Sequence, residues 1–121
     1  MARILVIDDD RQVRTLLRMI LEREGHEVIE APDGKVGIEL YRNEPADVVI
    51  TDIFMPEKEG LETIMDLRRE YPEVKLIAIS GGGRLKPHEY LVVARKLGAR
   101  FTLTKPFERD GLLEAVTGIL K

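Results

Sequence analysis

Four short apolar runs in this chain each end on polar residues suited to phosphate and metal chemistry. The first run ends on Asp8-Asp9-Asp10, the second on Asp52, the third on Ser80 and the fourth on Lys105. In an open parallel sheet the carboxyl ends of the strands lie along one edge, and ligands bind at that edge. Acids, a hydroxyl and an ammonium would therefore meet there. Such a set can bind a divalent cation and hold a phosphoryl group.

The composition sets limits on the function. A chain of 121 residues with 5% aromatic residues fits one α/β domain. A net charge of −3 provides no basic excess, so direct binding of nucleic acid is not expected. No run approaches the ~20 apolar residues needed to span a bilayer, and no signal peptide precedes the first strand. The absence of cysteine excludes disulfides and thiolate metal sites. A cytoplasmic protein without membrane insertion is expected.

Segments with helical periodicity alternate with the apolar runs. The predicted strands are Arg3–Ile7, Glu27–Glu30, Asp47–Thr51, Lys75–Ile79 and Phe101–Thr104. The predicted helices run from an N-cap at Asp10 to Gly25, over about residues 34–43, from Leu61 to Tyr71-Pro72, from Tyr90 to Gly98, and from Leu112 to Leu120. Because βαβ crossovers are right-handed, five strands alternating with five helices predict one parallel sheet covered on both faces.

The segment that begins at Asp52 carries a longer motif. It reads Asp-Ile-Phe-Met-Pro-Glu-Lys-Glu-Gly and fits the pattern Asp-x-x-Met-Pro-x-x-x-Gly. Together with the acidic cluster, Ser80 and the run Thr104-Lys105-Pro106-Phe107, it makes the chain resemble the receiver domain of two-component response regulators. The likeness is to stand-alone, chemotaxis-regulator-like receivers and covers essentially the whole chain. It implies one receiver domain over residues 1–121, with a flavodoxin-like doubly wound (βα)5 fold and sheet order 2-1-3-4-5.

This resemblance also implies a function. The protein would be a phosphorylation-controlled signalling switch rather than an enzyme. Asp52 would accept a phosphoryl group from the phosphohistidine of a sensor histidine kinase or a histidine phosphotransfer protein. Mg²⁺ would be the cofactor, held by Asp8, Asp9, Asp52 and the backbone carbonyl of Phe54. The phosphorylated form would act on a downstream protein through the surface around helix four, strand five and helix five, and helix one would dock the kinase.

Further roles follow from the same resemblance. Ser80 and Lys105 would contact the phosphoryl oxygens, and Lys105-Pro106 would be a cis peptide. The switch region would comprise Gly81-Gly82-Gly83, a loose connection expected to move on phosphorylation, and Thr102. Receivers usually place Tyr or Phe three residues before the lysine, whereas the aromatic residue here is Phe101. Because side chains alternate along a strand, Phe101 does not simply replace it.

Other polar residues have plainer interpretations. Asp10 is expected to cap the first helix rather than bind metal. The arginines at positions 11, 14, 18 and 23 are expected to form the solvent-facing side of that helix.

Two alternative functions stay open at this point. One is a phosphohydrolase of the haloacid dehalogenase type, which begins with Asp-x-Asp after its first strand. Gln12 stands where that family has Thr, and no acidic pair follows the lysine. The other is an adaptor with a receiver fold that binds partners without being phosphorylated.

Overall fold

The computed structural model describes residues 1–53, 60–80 and 87–121, with side chains of the last stretch from residue 92 onward. The strands are β1 Arg3–Ile7, β2 Glu27–Ala31, β3 Val48–Asp52, β4 Leu76–Ser80 and β5 Phe101–Thr104. The helices are α1 Arg11–Arg23, α2 Gly34–Asn43, α3 Gly60–Glu70, α4 Pro87–Leu97 and α5 Arg109–Leu120. Strands and helices alternate along the whole described chain, as the sequence predicts.

The five strands form one parallel sheet in the order β2-β1-β3-β4-β5. The three central strands, β1, β3 and β4, are almost entirely buried. This burial explains their continuous apolar runs, because a parallel sheet covered on both faces leaves no position for an exposed polar side chain. The predicted flavodoxin-like fold is confirmed.

Two hydrophobic clusters lie on opposite faces of the sheet. The cluster on one face includes Leu17 and Leu21 of α1 and Leu112, Val116 and Ile119 of α5. The cluster on the other face is built from the inward sides of α2, α3 and α4, with members that include Ile38, Ile64, Leu67 and Ala94. Helices thus pack against both faces of the sheet, and the residues at its carboxyl edge extend directly from these packed strands.

The helix ends follow local chemistry. The Asp10 carboxylate accepts a hydrogen bond of 2.9 Å from the Gln12 N–H, which confirms Asp10 as the N-cap of α1. Asp33 caps α2 in the same way through the Val36 N–H. Gly25 and Gly98 follow α1 and α4 with φ angles of +86° and +130°, a backbone region that favours glycine.

The predicted element boundaries differ from the observed ones by one residue at several strands. β3 and β4 each begin and end one residue later than predicted, so Asp52 and Ser80 are the last residues of their strands. The ladder extends this far because Asp52 pairs with Ile79 and Ser80 pairs with Thr104. Both polar residues are consequently held by the sheet itself.

Among the described residues, no helix combines the length and the apolar character needed to cross a membrane.

Candidate functional site

Three carboxylates meet at the carboxyl edge of the sheet. Asp8 and Asp9 directly follow β1, and Asp52 ends the neighbouring strand β3. Asp8 is 1% exposed and Asp52 is 5% exposed, whereas Asp9 is open to solvent. One carboxylate oxygen from each of the three lies within 4.8 Å of the others. The structure thus brings together acids that are far apart in sequence.

Lys105 connects the two buried acids. Its Nζ lies 2.9 Å from Oδ2 of Asp8 and 3.1 Å from Oδ2 of Asp52. The backbone supports this position, because the Lys105 N–H donates a 2.8 Å hydrogen bond to the Ser80 carbonyl. The Lys105-Pro106 peptide bond is cis, as the resemblance implies. One ammonium therefore balances part of the negative charge of the site.

Asp8 is fixed at four atoms. Its N–H donates to the Ala31 carbonyl at 3.1 Å, and its carbonyl accepts from the Arg14 guanidinium at 2.7 Å. Its Oδ1 accepts from the Asp10 N–H at 2.8 Å, while Oδ2 accepts from Lys105. The turn that carries the acidic cluster is thereby attached to β2, α1 and the loop after β5.

Burial shapes the charge of this site. Burial raises the pKa of the Asp8 carboxyl, and the nearby charge of Asp52 acts in the same direction. Hydrogen bonds from the Asp10 N–H and from Lys105 oppose this rise without cancelling it. Burial alone would lower the pKa of Lys105, but the Asp8 hydrogen bond and the charges of both acids outweigh it and raise the pKa. The two acids therefore favour the charged form of Lys105, while burial disfavours the charged form of Asp8.

Ser80 is the last residue of β4, the strand next to β3, and its backbone carbonyl accepts the Lys105 N–H. It is fully buried, and its Oγ has no hydrogen-bond partner within the described part of the chain. An unpaired buried hydroxyl costs free energy on the order of 1–3 kcal/mol, so such groups are rare unless they serve a ligand. The register places Ser80 one residue beyond Ile79, which pairs with Asp52.

Gly60 packs closely against the backbone of Asp52 and Ile53. A Cβ at Gly60 would lie 2.1 Å from the Asp52 carbonyl oxygen and 2.3 Å from the Ile53 Cα. Both neighbours are backbone atoms, so neither can move aside as a flexible side chain could. The first residue of α3 thus lies directly against the end of β3, which fits the glycine of the sequence motif.

The donor set suits Mg²⁺. That ion takes octahedral oxygen ligands, usually one or two carboxylates together with water and phosphate oxygens. Asp8, Asp9 and Asp52 supply carboxylate oxygens at one exposed and two buried positions. The predicted fourth ligand, the carbonyl of Phe54, lies outside the described residues, as does the switch segment Gly81-Gly82-Gly83.

The aromatic residue of β5 lies on the α5 side of the sheet. Phe101 packs into the hydrophobic cluster that contains residues of α1 and α5. Its ring lies so close to Gly118 of α5 that a Cβ at that position would be 2.8 Å from the nearest ring atom. Strand alternation places Thr102 on the opposite face. The expectation that Phe101 does not take the Thr102 position is confirmed.

The sequence-based interpretation of the α1 arginines is partly wrong. The residues at 11 and 23 are exposed, but Arg14 is only 15% exposed and Arg18 is half-buried. Arg14 contacts both Asp8 and Glu30. Its position four residues after the Asp10 cap, on the same side of the helix, is the signal that could have placed it near the acidic turn.

Comparison with known proteins identifies relatives of the whole chain. The model of the response regulator receiver domain family matches residues 4–117. Chemotaxis protein CheY of Thermotoga maritima is 32% identical over 120 residues, with 98% of each chain covered. Transcriptional regulatory protein CpxR of Escherichia coli is 34% identical over 121 residues, which are 100% of this chain and 50% of CpxR. A response regulator receiver domain protein from Clostridium thermocellum superposes with a TM-score of 0.91 at 30% identity, covering 99% of this chain and 94% of that one.

Proposed function

Since this chain belongs to the response regulator receiver family of two-component signalling, we propose that it is a switch controlled by phosphorylation of Asp52. The observation that carries the proposal is the placement of Asp52. It is a buried carboxylate at a strand end, in contact with Lys105 and within metal-sharing distance of Asp8 and Asp9. The donor would be the phosphohistidine of a sensor histidine kinase or a histidine phosphotransfer protein.

The transfer step requires little more than positioning and charge neutralisation. A carboxylate oxygen of Asp52 forms the new O–P bond as the P–N bond of the phosphohistidine breaks. The electron pair of that bond stays on the imidazole nitrogen. Lys105 and the Ser80 hydroxyl would donate to phosphoryl oxygens, which gives the buried Ser80 Oγ the partner that it lacks among the described residues. Attack of water on the phosphorus would then break the bond between Asp52 and the phosphoryl group, release inorganic phosphate and return Asp52 to its carboxylate form.

Mg²⁺ would be held by Asp8, Asp9 and Asp52, with the Phe54 carbonyl as the further ligand implied by the family. When bound, the ion supplies positive charge to the carboxylates and to the phosphoryl oxygens. The site favours the binding of such a charge for two reasons. Lys105 is in contact with two of the three clustered acids, and burial raises the pKa of Asp8. Cation binding relieves repulsion that the fold itself creates.

The kinase would dock on α1. An apolar groove of about 320 Å³ lies between Val13 and Leu16 of α1 and Pro106-Phe107, with Lys105 in its wall. Leu16 and Met19 are 45% and 52% exposed, so the helix offers apolar side chains to a partner. A helix seated there would bring its histidine next to the acidic edge, because the groove and the site share Lys105.

The downstream target would bind around α4, β5 and α5. Val92 and Val93 of α4 are 42% and 43% exposed, which leaves an apolar strip on that side of the molecule. The phosphoryl group adds a charge of about −1.5 to −2, enough to rearrange segments next to it.

The acceptor role is tested by mass. Purified protein is incubated with Mg²⁺ and either acetyl phosphate or phosphoramidate, whose P–N bond resembles that of phosphohistidine, and the intact mass is measured. We expect one phosphoryl group on the wild type and none on Asp52→Asn. Asp47→Asn is the matched control, because this exposed aspartate precedes the same strand at its opposite end.

The possible outcomes separate the alternatives. Incorporation into Asp52→Asn would assign the acceptor to another residue. No incorporation from either donor, together with no Mg²⁺ binding at millimolar concentration, would overturn the acceptor role and favour an adaptor with a receiver fold. No incorporation from a protein that does bind Mg²⁺ would assign the donor role to the phosphohistidine of the kinase alone. Membership of the receiver family removes the ground for the dehalogenase-type alternative, in which Asp8 would be the nucleophile.

A further inference from the structure

We infer that Arg14 is a positioning residue for the metal site, and that Glu30 holds Arg14 in place. This inference rests on the proposed function, because it concerns how the ligands of that site are oriented. Arg14 touches no carboxylate of the acidic cluster. It acts through the backbone of Asp8, which carries the first acid of the cluster and precedes the second.

The contacts of Arg14 link three elements. From α1, its Nη1 donates 2.7 Å to the Asp8 carbonyl at the end of β1. Its Nε lies 3.1 Å from Oε1 of Glu30 near the end of β2. The side chains are 15% and 28% exposed, so this is a largely desolvated ion pair and not a loose surface contact. A planar guanidinium with two directed donors fixes the carbonyl in direction as well as in distance.

Orientation of that carbonyl matters because it sets the peptide plane between Asp8 and Asp9. Rotation of this plane moves the Cα of Asp9 and with it the exposed carboxylate. No hydrogen bond to this carboxylate is found among the described residues that would hold it in place. Asp8 by contrast is also held through its carboxylate by the Asp10 N–H and by Lys105. Loss of Arg14 should therefore disturb Asp9 more than Asp8, while the sheet remains intact.

Arg18 provides a matched control on the same helix. It lies one turn further along, and its Nε is 2.8 Å from Oε2 of the same Glu30. Its backbone contact, however, is the Val28 carbonyl at 3.1 Å, three residues before the end of β2. The two arginines share an acidic partner and differ in whether they reach the acidic turn.

The experiment compares Arg14→Met with Arg18→Met in Mg²⁺ titrations followed by calorimetry. Loss of a group that orients metal ligands typically weakens metal binding by 10–100-fold, and we expect about tenfold for Arg14→Met. Arg18→Met should bind Mg²⁺ as the wild type does. Arg14→Lys should recover part of the loss, since one ammonium can reach the carbonyl or Glu30 but lacks the fork for both.

A purely electrostatic role predicts the opposite sign. Removal of a positive charge near a cation site should tighten Mg²⁺ binding, so tighter binding by Arg14→Met would overturn the inference. Equal affinities for the two methionine variants would overturn it as well. Amide hydrogen exchange in metal-free protein gives a second readout, with faster exchange at the Asp10 N–H expected in Arg14→Met alone.

Phosphorylation by acetyl phosphate distinguishes this inference from the function on which it rests. If incorporation persists in Asp52→Asn, the proposed function fails, and the Mg²⁺ and exchange results still decide the role of Arg14. If the wild type is phosphorylated, Arg14→Met should need more Mg²⁺ for its half-maximal rate and reach a similar rate at saturation. An unchanged Mg²⁺ requirement would contradict a positioning role.

Discussion

The two edges of the sheet carry similar charges in different surroundings. At the amino edge, Arg3 meets Glu27 at 2.8 Å and Glu44 at 2.9 Å, and its backbone N–H donates to Asp47 at 2.8 Å. The side chains of Arg3, Glu27 and Glu44 are 33%, 62% and 61% exposed. Water therefore solvates every member of this group.

At the carboxyl edge, Lys105 contacts two acids of the cluster formed by Asp8, Asp9 and Asp52. Lys105 is 21% exposed, and its partners Asp8 and Asp52 are 1% and 6% exposed at their side chains. Burial raises the pKa of Asp8 in spite of the adjacent ammonium. At the amino edge, the hydrogen bond with Glu27 raises the pKa of Arg3, which simply stays charged. The two edges carry similar charges, and what distinguishes the carboxyl edge is the exclusion of water from Asp8 and Asp52.

The largest contrast should come from deleting each cation. Lys105→Met leaves two buried carboxylates without their ammonium, and we expect the free energy of unfolding at neutral pH to fall by about 3 kcal/mol. Urea denaturation measures this change. If Lys105→Met lowered the free energy of unfolding no more than Arg3→Met, burial would not distinguish the energetics of the two edges, and the comparison would be wrong.

A smaller effect should come from adding Mg²⁺. A ligand that binds only the folded state stabilises it by RT ln(1 + [L]/Kd), which is about 1.4 kcal/mol at ten times the dissociation constant. Thermal unfolding with Mg²⁺ and then with excess EDTA should show a reversible rise in melting temperature. Asp52→Asn should respond less, and choline chloride at matched ionic strength controls for screening. A rise of equal size in Asp52→Asn would place the bound ion elsewhere.

The pH dependence of stability should have a sign set by Asp8. Because its pKa is raised in the folded state, the folded protein binds this proton more tightly than the unfolded chain does. The Asp8 contribution to the free energy of unfolding therefore falls as pH rises from the ordinary aspartate pKa through the raised value. Urea denaturation of metal-free wild type and Asp8→Asn across this range should show that contribution only in the wild type.

Glu70 is the control of opposite sign. The hydrogen bond from Arg42 lowers the pKa of Glu70, so its contribution is present above the ordinary glutamate pKa and is lost as pH falls. The free energy of unfolding of the wild type should therefore include a contribution that increases as the pH rises through this range. The Glu70→Gln variant should lack this contribution. If the two variants changed the pH dependence of the free energy of unfolding in the same direction, the opposite pKa shifts assigned to Asp8 and Glu70 would be contradicted.

The smallest effect should be at the amino edge. Exposed ion pairs contribute little to stability, so Arg3→Met should lower the free energy of unfolding far less than Lys105→Met does. Added NaCl at about 1 M shortens the screening length to about 3 Å and should remove most of this difference. Denaturation at low and high salt tests it, and a cost that persists at high salt would show that Arg3 acts through packing.

The strands and the meeting of Asp8, Asp9 and Asp52 could be predicted from the sequence. Apolar runs that end on polar residues determine the strands, and parallel strands align their carboxyl ends. The meeting of Lys105 with these acids could be predicted by the same argument. The contacts of Arg14 could not, because it is a long side chain whose direction depends on tertiary neighbours, and periodicity places only the Cα atom. Helical periodicity therefore predicts Arg14 to be a solvent-facing residue of an amphipathic helix, although its side chain contacts Asp8 and Glu30.

The contact between Gly60 and the end of β3 has a consequence for how the acceptor strand is positioned. A methyl group at position 60 would meet the Asp52 carbonyl oxygen and the Ile53 Cα, which are backbone atoms of the segment that carries the acceptor. Any larger residue at position 60 would therefore have to separate α3 from β3. The absence of a single methyl group thus sets how closely the helix and the acceptor strand approach each other.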